Sequence, residues 1–260
     1  MPPRGGSEVF DPVTAPAEEP LAVAAAEPIV DVFHNHRRVL VYAALLFIAT
    51  AFIFIAVGKH PGQPGTVTTW PPIGRFDGAV QRAVDGQRSD AETLVAKVLN
   101  FAGSGVVTIP LRILVAIYLI VRRRRRALAT WILTWILAEV GLSLAKAWYM
   151  RTRPPDPIVL TRGLSFPSGH AVAAASIAVA LVLVTMPAGP RRRKWEFVAA
   201  AAAFIMGLSR VYLNAHWFSD VLAGALLGTA IALGSAALVT EVRATWRSRR
   251  PPDTPAATVA

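Results

Sequence analysis

The sequence contains no cysteine, which excludes a disulfide framework and any chemistry that depends on a thiolate. It also lacks a His-Glu-x-x-His motif and has only five histidines, so a metal-dependent site is not the favoured interpretation. The first 28 residues lack the basic-then-apolar order of a signal peptide. They are rich in proline, alanine and glutamate, and we expect them, like residues 251–260, to be disordered.

Charged residues are missing from two long stretches of the chain. Val39–Val57 is 19 residues long, Val221–Thr240 is 20 residues long, and neither contains Asp, Glu, Lys or Arg. At about 1.5 Å per residue, each can cross a hydrocarbon core of roughly 30 Å as a helix. Because 54 % of the 260 residues are apolar as well, we predict an integral membrane protein.

The predicted fold class is all-α, a six-span transmembrane helical bundle. The six apolar segments are residues 39–58, 98–121, 127–149, 170–186, 197–213 and 217–240. Pro110 and Arg112 interrupt the second segment, and Glu139 lies in the third. In the sixth segment Gly224 and Gly228 would let a neighbouring helix backbone approach closely.

The formal net charge of +11 would suit a nucleic-acid-binding protein, but most basic residues lie beside the apolar segments, as in membrane anchoring. We therefore expect a lipid bilayer and no nucleic acid as partner. With six spans, four basic clusters share one side, and the positive-inside tendency makes that side, with both termini, cytoplasmic. The clusters are Arg37–Arg38, Arg122–Arg126, Arg191–Lys194 and the arginines at 243, 247, 249 and 250.

The predicted domain organisation places one long segment on the opposite, outer side. The whole chain is divided into an N-terminal tail (1–38), a first span (39–58), an outer loop (59–97), a helical core (98–240) and a basic, then disordered, C-terminal tail (241–260). Around the outer loop, Phe76–Asn100 has apolar residues at helical spacing with a polar break at Gly86–Asp90. It could form an amphipathic helix lying along the membrane surface or a partly ordered loop.

Three short segments carry most of the polar chemistry. They are Lys146-x6-Arg153-Pro154 at the end of the third span, Pro167-Ser168-Gly169-His170 at the start of the fourth, and Ser209-Arg210-x5-His216-x3-Asp220 between the fifth and sixth. With six spans, all three emerge on the outer face. Together they offer cations, histidines and a carboxylate, a set suited to binding and transferring a phosphoryl group.

The cations and the turn each have an anion-binding interpretation. Lys146 and Arg153 are two helical turns apart and are predicted to point the same way. Basic residues are not generally favoured at an outer face, so a bound anion would explain these two and Arg151 nearby; solvated rim charges are the alternative. Ser168 is a candidate N-cap of a helix whose N–H groups attract anions, and Gly169 lets the backbone approach a ligand.

The third segment has the residues of a nucleophilic site. Arg210 offers a planar fork for phosphate oxygens, and Ser209 a hydroxyl. His216 and Asp220 are four residues apart and are predicted to lie on one face at the start of the sixth helix, where the carboxylate can fix the imidazole tautomer. The alternatives are an interfacial histidine beside a helix-capping aspartate, or a zinc site.

The three segments together resemble the signature of the type 2 phosphatidic acid phosphatase (PAP2) family, the lipid phosphate phosphatases. The resemblance covers roughly residues 91–240 and implies a six-span enzyme that needs no metal or other cofactor. It implies that His216 attacks phosphorus to form a phosphohistidine, that Asp220 orients His216, and that His170 protonates the leaving group. The residues that would hold the phosphate oxygens are Lys146, Arg153, Ser168, Gly169 and Arg210.

The expected function is therefore hydrolysis of a lipid-borne phosphate at the outer membrane face. Prenyl diphosphates, phosphatidic acid and phosphatidylglycerol phosphate all suit a site level with the headgroups. A phosphotransferase using the same intermediate and a non-catalytic phospholipid-binding protein are the alternatives. Away from the site, Arg112 and Glu139 are predicted to form an ion pair near mid-membrane, because unpaired charges there are costly.

Overall fold

The residues that a computed structural model describes, 36–57, 70–149, 151–187 and 189–248, form eight α-helices and no β-strand. This confirms the all-α prediction. The helices are α1 His36–Val57, α2 Pro71–Asp85, α3 Asp90–Ala102, α4 Gly105–Val121, α5 Arg125–Tyr149, α6 Gly169–Thr185, α7 Pro190–Tyr212 and α8 Phe218–Ser248. The tails predicted to be disordered and residues 58–69 of the outer loop lie outside the described residues.

Four of these helices are long and apolar enough to cross a membrane, namely α1, α5, α7 and α8. The pair α3 and α4 would together supply a fifth span, although the two helices are bent by 46° at their junction. Helix α6 is apolar but has only 17 residues. The six-span count therefore stays a prediction.

The junction between α3 and α4 divides the apolar segment that was predicted over residues 98–121. Helix α3 ends at Ala102, where the ladder tightens: the Ser104 N–H donates to the Phe101 carbonyl three residues back (3.0 Å), and the Ser104 hydroxyl donates to the same carbonyl (2.6 Å). Pro110, expected to interrupt the segment, lies inside α4. A Cβ at position 103 would stand 2.7 Å from the imidazole Cδ2 of His170, so this turn approaches α6 closely because the residue is glycine.

The stretch Phe76–Asn100 was predicted to be either an amphipathic surface helix or a partly ordered loop. It lies in helices α2 and α3 and the turn between them. Ser89 begins α3 with a reciprocal cap: its Oγ accepts the Glu92 N–H (3.3 Å), and its hydroxyl donates to the Glu92 carboxylate (3.1 Å). Helix α2 packs Val80 and Val84 against the ends of α7 and α8. It therefore covers the end of the bundle where those two helices meet.

Close packing of α6 on α8 fixes these two helices at the end of the bundle that α2 covers. A Cβ at Gly224 would stand 2.7 Å from the Ser168 carbonyl oxygen, and one at Gly228 would stand 2.5 Å from the Val172 carbonyl oxygen. Both distances are shorter than real Cβ contacts, so the helices can approach this far only at glycine. The predicted close approach at these two glycines is confirmed.

The predicted ion pair between Arg112 and Glu139 is also confirmed and joins α4 to α5. Arg112 Nη1 donates to Glu139 Oε1. The Arg112 carbonyl accepts the indole N–H of Trp131 (3.0 Å), and its guanidinium carbon lies 5.4 Å from the ring centroid of Trp135. The buried Arg112 charge is thus held by a carboxylate and an aromatic face.

Candidate active site

The three motif segments meet at the end of the bundle formed by the C-terminal ends of α5 and α7 and the N-terminal ends of α6 and α8. The Ser168 N–H donates to the Asp220 carbonyl (3.0 Å), which joins the second segment to the third. Arg153 contacts His216, which joins the first to the third. Asn100 contacts both His170 Nε2 (3.1 Å, through its carbonyl) and Arg210 (through its side-chain oxygen), which places His170 beside the third segment. Residues far apart in the sequence therefore surround one site.

His216 lies in the turn before α8, whereas the sequence prediction placed it on the helix. Helix α8 begins at Phe218, and the N–H groups of Ala215 and His216 both donate to the Arg210 carbonyl at the end of α7 (3.0 and 3.2 Å). The imidazole is buried, with Nδ1 3.6 Å from Asp220 Oδ2. The turn, and not helical spacing, brings His216 and Asp220 together.

The contact with Arg153 assigns the tautomer of neutral His216. Arg153 Nη1 lies 3.1 Å from His216 Nε2. A guanidinium has no acceptor, so Nε2 must present its lone pair and the proton must be on Nδ1. That proton faces Asp220 and the Ser165 hydroxyl, whose oxygen is 3.5 Å from Nδ1. The nucleophilic lone pair consequently points toward a cation.

The surroundings of His216 keep it neutral at physiological pH. Burial lowers the pKa of His216 from 6.5 to about 4, because an imidazolium ion loses its hydration in the interior. The Asp220 carboxylate partly offsets the effect of burial on this pKa, and the charges of Arg153 and Arg210 add to that effect, with about 4 as the net result. A neutral imidazole is the form that can attack an electrophile.

Asp220 is fully buried, and each carboxylate oxygen has partners. Oδ1 accepts from Arg151 Nη1 (2.5 Å). Oδ2 accepts the backbone N–H of Trp217 (2.9 Å) and the hydroxyl of Ser165. These bonds fix the carboxylate plane beside His216.

Lys146 and Arg153 converge, but not for the reason predicted. Helix α5 ends at Tyr149, and Arg153 lies in the following loop, where its position before Pro154 disfavours helix. Both side chains nevertheless reach the Leu164 carbonyl, Lys146 Nζ at 2.9 Å and Arg153 Nη2 at 3.2 Å. Loop folding therefore produces the convergence that helical spacing was expected to produce.

Arg151 corrects another expectation, because it binds carboxylates of the protein. It is buried, and its two terminal nitrogens donate to Asp220 Oδ1 and to Asp77 Oδ2 on α2 (2.7 Å). Ser219 completes this group, accepting from Arg151 (2.7 Å) and donating its hydroxyl to Asp77 (2.6 Å). Arg151 therefore does not face an anion site.

The Pro-Ser-Gly-His segment begins α6 as expected, with Ser168 at the N-cap position. The Ser168 side chain makes no capping hydrogen bond, and its buried Oγ has no partner among the described residues. Gly169 follows as the first residue of α6. His170 Nε2 lies 3.1 Å from the Asn100 carbonyl, which can only accept, so this nitrogen carries a proton.

Arg210 is buried at the end of α7 and is held from α3. Its Nη1 donates to the Asn100 side-chain oxygen, while its Nε has no partner within the described ranges. Ser209 donates its hydroxyl to the Met206 carbonyl (2.7 Å), so that hydroxyl is already used inside α7. Arg210 Nε and Ser168 Oγ are thus two buried polar atoms left available at one site.

Sequence reasoning missed three residues of this site: Asp77, Ser165 and Asn100. Asp77 gave a signal, because helical spacing puts it on the apolar face of α2 with Val80 and Val84, where a carboxylate needs a buried partner. Ser165 and Asn100 gave none, since Ser165 lies in a loop, Asn100 lies in α3, and only folding brings either of them to the site. No group of three His, Asp or Glu side chains able to hold a metal ion occurs in the portion that the structure describes.

Comparisons with known proteins point to one family. Residues 129–244 match the family model described as the PAP2 superfamily. Phosphatidylglycerophosphatase B of Bacillus subtilis is 40 % identical over 88 residues, which cover 32 % of this chain and 43 % of that protein. Undecaprenyl-diphosphatase of Sulfolobus acidocaldarius is 34 % identical over 122 residues, which cover 44 % of this chain and 56 % of that protein. The chain thus spans about half the length of these curated relatives.

A solved structure shows that the architecture is shared. The crystal structure of a transmembrane PAP2-type phosphatidylglycerolphosphate phosphatase from Bacillus subtilis has a TM-score of 0.62 to this chain. The match covers 80 % of this chain and 98 % of that one, at 23 % identity, and shows a common fold. With the long apolar helices, it supports a multi-pass membrane protein.

Proposed function

Because the chain belongs to the PAP2 superfamily, we propose that it is a membrane-embedded phosphatase that hydrolyses a lipid-borne phosphomonoester or diphosphate. Phosphatidylglycerol phosphate and a prenyl diphosphate are the substrates that the names of its relatives favour. Phosphatidic acid has the same terminal phosphate chemistry. A lipid substrate suits a site built from the ends of apolar helices, where a headgroup would lie.

One observation supports this proposal most directly: two buried polar atoms without partners belong to the same segments as a buried, neutral histidine and its aspartate. Ser168 Oγ and Arg210 Nε are buried without partners among the described residues. The Nε2 lone pair of His216 faces Arg153. A phosphoryl group bound there would supply oxygens for the free donors and an electrophilic phosphorus for the lone pair.

In the proposed reaction His216 Nε2 forms a bond to phosphorus while the bond from phosphorus to the leaving oxygen breaks. Asp220 supports the positive charge that develops on the imidazole through its Nδ1–H. His170 gives its proton to the leaving oxygen. That proton would come from Nδ1 of a doubly protonated His170, because the Nε2–H is held by the Asn100 carbonyl; the oxygens of the bound phosphoryl group favour this cationic form. Water then attacks phosphorus, its proton returns to His170, and free phosphate leaves His216.

The cations hold the oxygens of the transferring group. Lys146, Arg153 and Arg210 would neutralise the charge that spreads over those oxygens, with the Ser168 hydroxyl and the Gly169 N–H as further donors. Arg153 would exchange its contact with His216 Nε2 for a phosphate oxygen. Fixed cations of this kind can take the place of a metal ion in stabilising phosphoryl transfer.

We further propose that the site opens at the outer face of the membrane and that both termini are cytoplasmic. The basic clusters at 122–126 and 191–194 lie at the junction of α4 with α5 and in the first turn of α7, at the opposite ends of these helices from the site. The positive-inside tendency supports a cytoplasmic position for them. Labelling of single cysteines by an impermeant reagent in sealed cells tests this: a cysteine at exposed Leu160 should react and one at exposed Arg123 should not.

Phosphate release by the full chain in detergent with EDTA tests the activity. The wild type should release phosphate from phosphatidylglycerol phosphate or a prenyl diphosphate, and His216→Ala should fall by at least about 10⁴-fold, as loss of a nucleophile does. His36→Ala is the matched control, because His36 begins α1, away from the site. Activity surviving in His216→Ala would refute the nucleophile.

The same samples separate the alternatives. A wild type that binds a phospholipid but releases no phosphate would be a non-catalytic binder. Transfer of phosphate to an added alcohol in preference to water would identify a phosphotransferase. Acid-labile phosphate retained on wild-type protein after rapid denaturation, and absent from His216→Ala, would support the phosphohistidine.

A further inference from the structure

Asp77 lies on α2, before the part of the chain that matches the family model, yet its carboxylate reaches the candidate active site. It is 2 % exposed, Arg151 is 4 % exposed and Asp220 is 0 % exposed. One guanidinium therefore lies between two buried carboxylates. The reaction proposed above gives the carboxylate of Asp77 no role.

Both carboxylate oxygens of Asp77 and both terminal nitrogens of Arg151 have hydrogen-bond partners within this group. Arg151 donates Nη2 to Asp77 Oδ2 (2.7 Å) and Nη1 to Asp220 Oδ1 (2.5 Å). Ser219 donates its backbone N–H to Asp77 Oδ1 (2.9 Å) and its hydroxyl to Asp77 Oδ2 (2.6 Å). Because a guanidinium is a rigid planar fork, clamping one arm with Asp77 fixes the direction of the other arm, and with it the plane of the Asp220 carboxylate.

The charges give Asp77 a second effect on Asp220. Lys146 and Arg153 also interact electrostatically with Asp220, and both are cations. If Arg151 paired with Asp220 alone, its full charge would further reduce the ability of that carboxylate to support an imidazolium ion at His216. Sharing Arg151 with Asp77 leaves more of the negative charge of Asp220 available to His216 while keeping the carboxylate in place.

We propose that Asp77 is a positioning residue that acts through Arg151. It orients the Asp220 carboxylate and keeps the negative charge of that carboxylate available to His216. This inference rests on the proposed function, since it assigns Asp220 as the partner of a nucleophilic His216. It also makes α2 part of the catalytic apparatus: docking of this helix on the bundle completes the alignment of the histidine.

Asp77→Asn tests the inference, because asparagine keeps the shape and can still accept from Ser219 but removes the charge that holds Arg151. Its kcat should fall about tenfold, as is typical when a residue that orients a functional side chain is lost, while KM stays within about twofold. Asp77→Glu, which restores the charge, should recover part of that loss. Asp85→Asn is the matched control, because Asp85 is an exposed carboxylate on the same helix whose partners are Arg88 (2.6 Å) and Gln81 (3.1 Å) and not Arg151.

A second measurement does not depend on turnover. In protein labelled with ¹⁵N-histidine, the Nδ1–H proton of His216, identified by its absence from His216→Ala, should move upfield in Asp77→Asn as its interaction with Asp220 weakens. Asp85→Asn should leave it unchanged. If wild-type protein released no phosphate, the proposed function would fail and this resonance alone would decide the role of Asp77.

Three results would overturn the inference. The first is an Asp77→Asn enzyme with wild-type kcat. The second is an unmoved His216 resonance. The third is a loss of activity that follows only a lower unfolding temperature, with KM and kcat affected alike, because that pattern would make Asp77 merely a structural contact of α2.

Discussion

Replacing Gly224 by alanine tests whether the close contact between α6 and α8 aligns the two halves of the site. The new Cβ would stand 2.7 Å from the Ser168 carbonyl oxygen, 0.7 Å short of the 3.4 Å at which ordinary contact begins. The neighbouring atom is backbone, so no side chain can rotate away. We expect α6 and α8 to separate by up to this amount near Ser168.

The consequence for the site follows from one hydrogen bond. The Ser168 N–H donates to the Asp220 carbonyl at 3.0 Å, one helical turn from Gly224, and couples the phosphate-binding turn to the residue that orients His216. A misplacement of about 1 Å between catalytic groups can cost roughly 100-fold in rate. A shift of 0.7 Å at this contact should therefore lower kcat/KM by at least about tenfold.

The effect on stability should be smaller than the effect on rate. Overpacking of this kind costs about 1–3 kcal/mol, whereas replacing glycine by alanine within a helix recovers about 1 kcal/mol. We therefore expect a net loss of about 0–2 kcal/mol, which leaves the protein folded in detergent and lets phosphate release be compared at one temperature.

Gly234→Ala is the matched control on the same helix. Its Cβ would meet only the Phe47 side chain, at 3.5 Å, which is an ordinary contact. It should retain wild-type kcat/KM. Equal activities of the wild type and Gly224→Ala, measured on folded protein, would refute the argument that this contact aligns the site; equal losses in both glycine variants would assign the effect to α8 in general.

Three further predictions concern pH, the ion pair and metal ions. Because the pKa of His216 is lowered to about 4, kcat/KM corrected for titration of the substrate should persist below pH 6.5 and fall only as His216 gains a proton near pH 4; half-loss at pH 6.5 contradicts this. Glu139→Leu leaves the buried Arg112 charge uncompensated and should destabilise the protein by about 3 kcal/mol in thermal unfolding, whereas adding Arg112→Leu should restore much of that loss; a harmless Glu139→Leu would show that the pair is unimportant. EDTA should leave phosphate release unchanged, and a loss reversed by a divalent cation would contradict the metal-independent mechanism.

Local sequence was sufficient to predict the class of fold and to select most of the polar residues that meet at the candidate site. Long uncharged stretches such as Val39–Val57 predict helices in lipid because the bilayer cannot satisfy unpaired backbone groups. The residues of the three segments could be selected because their types indicate phosphate chemistry. Histidines, basic residues and a glycine turn occur together at the ends of apolar helices. Gly224 and Gly228 likewise predicted close packing, since small residues leave room for a backbone.

Tertiary structure alone decided how those residues meet and which others support them. The sequence placed Arg153 and His216 on helices by periodicity, but α5 ends at Tyr149 and α8 begins at Phe218, so a loop and a turn carry both side chains. Where helices end depends on competing contacts that the local sequence does not contain. Arg151 shows the same limit, because only folding brings Asp77, 74 residues earlier in the chain, to its guanidinium in place of a bound anion. Periodicity describes neighbours within one helix, whereas the partners of a buried charge are chosen by the whole bundle.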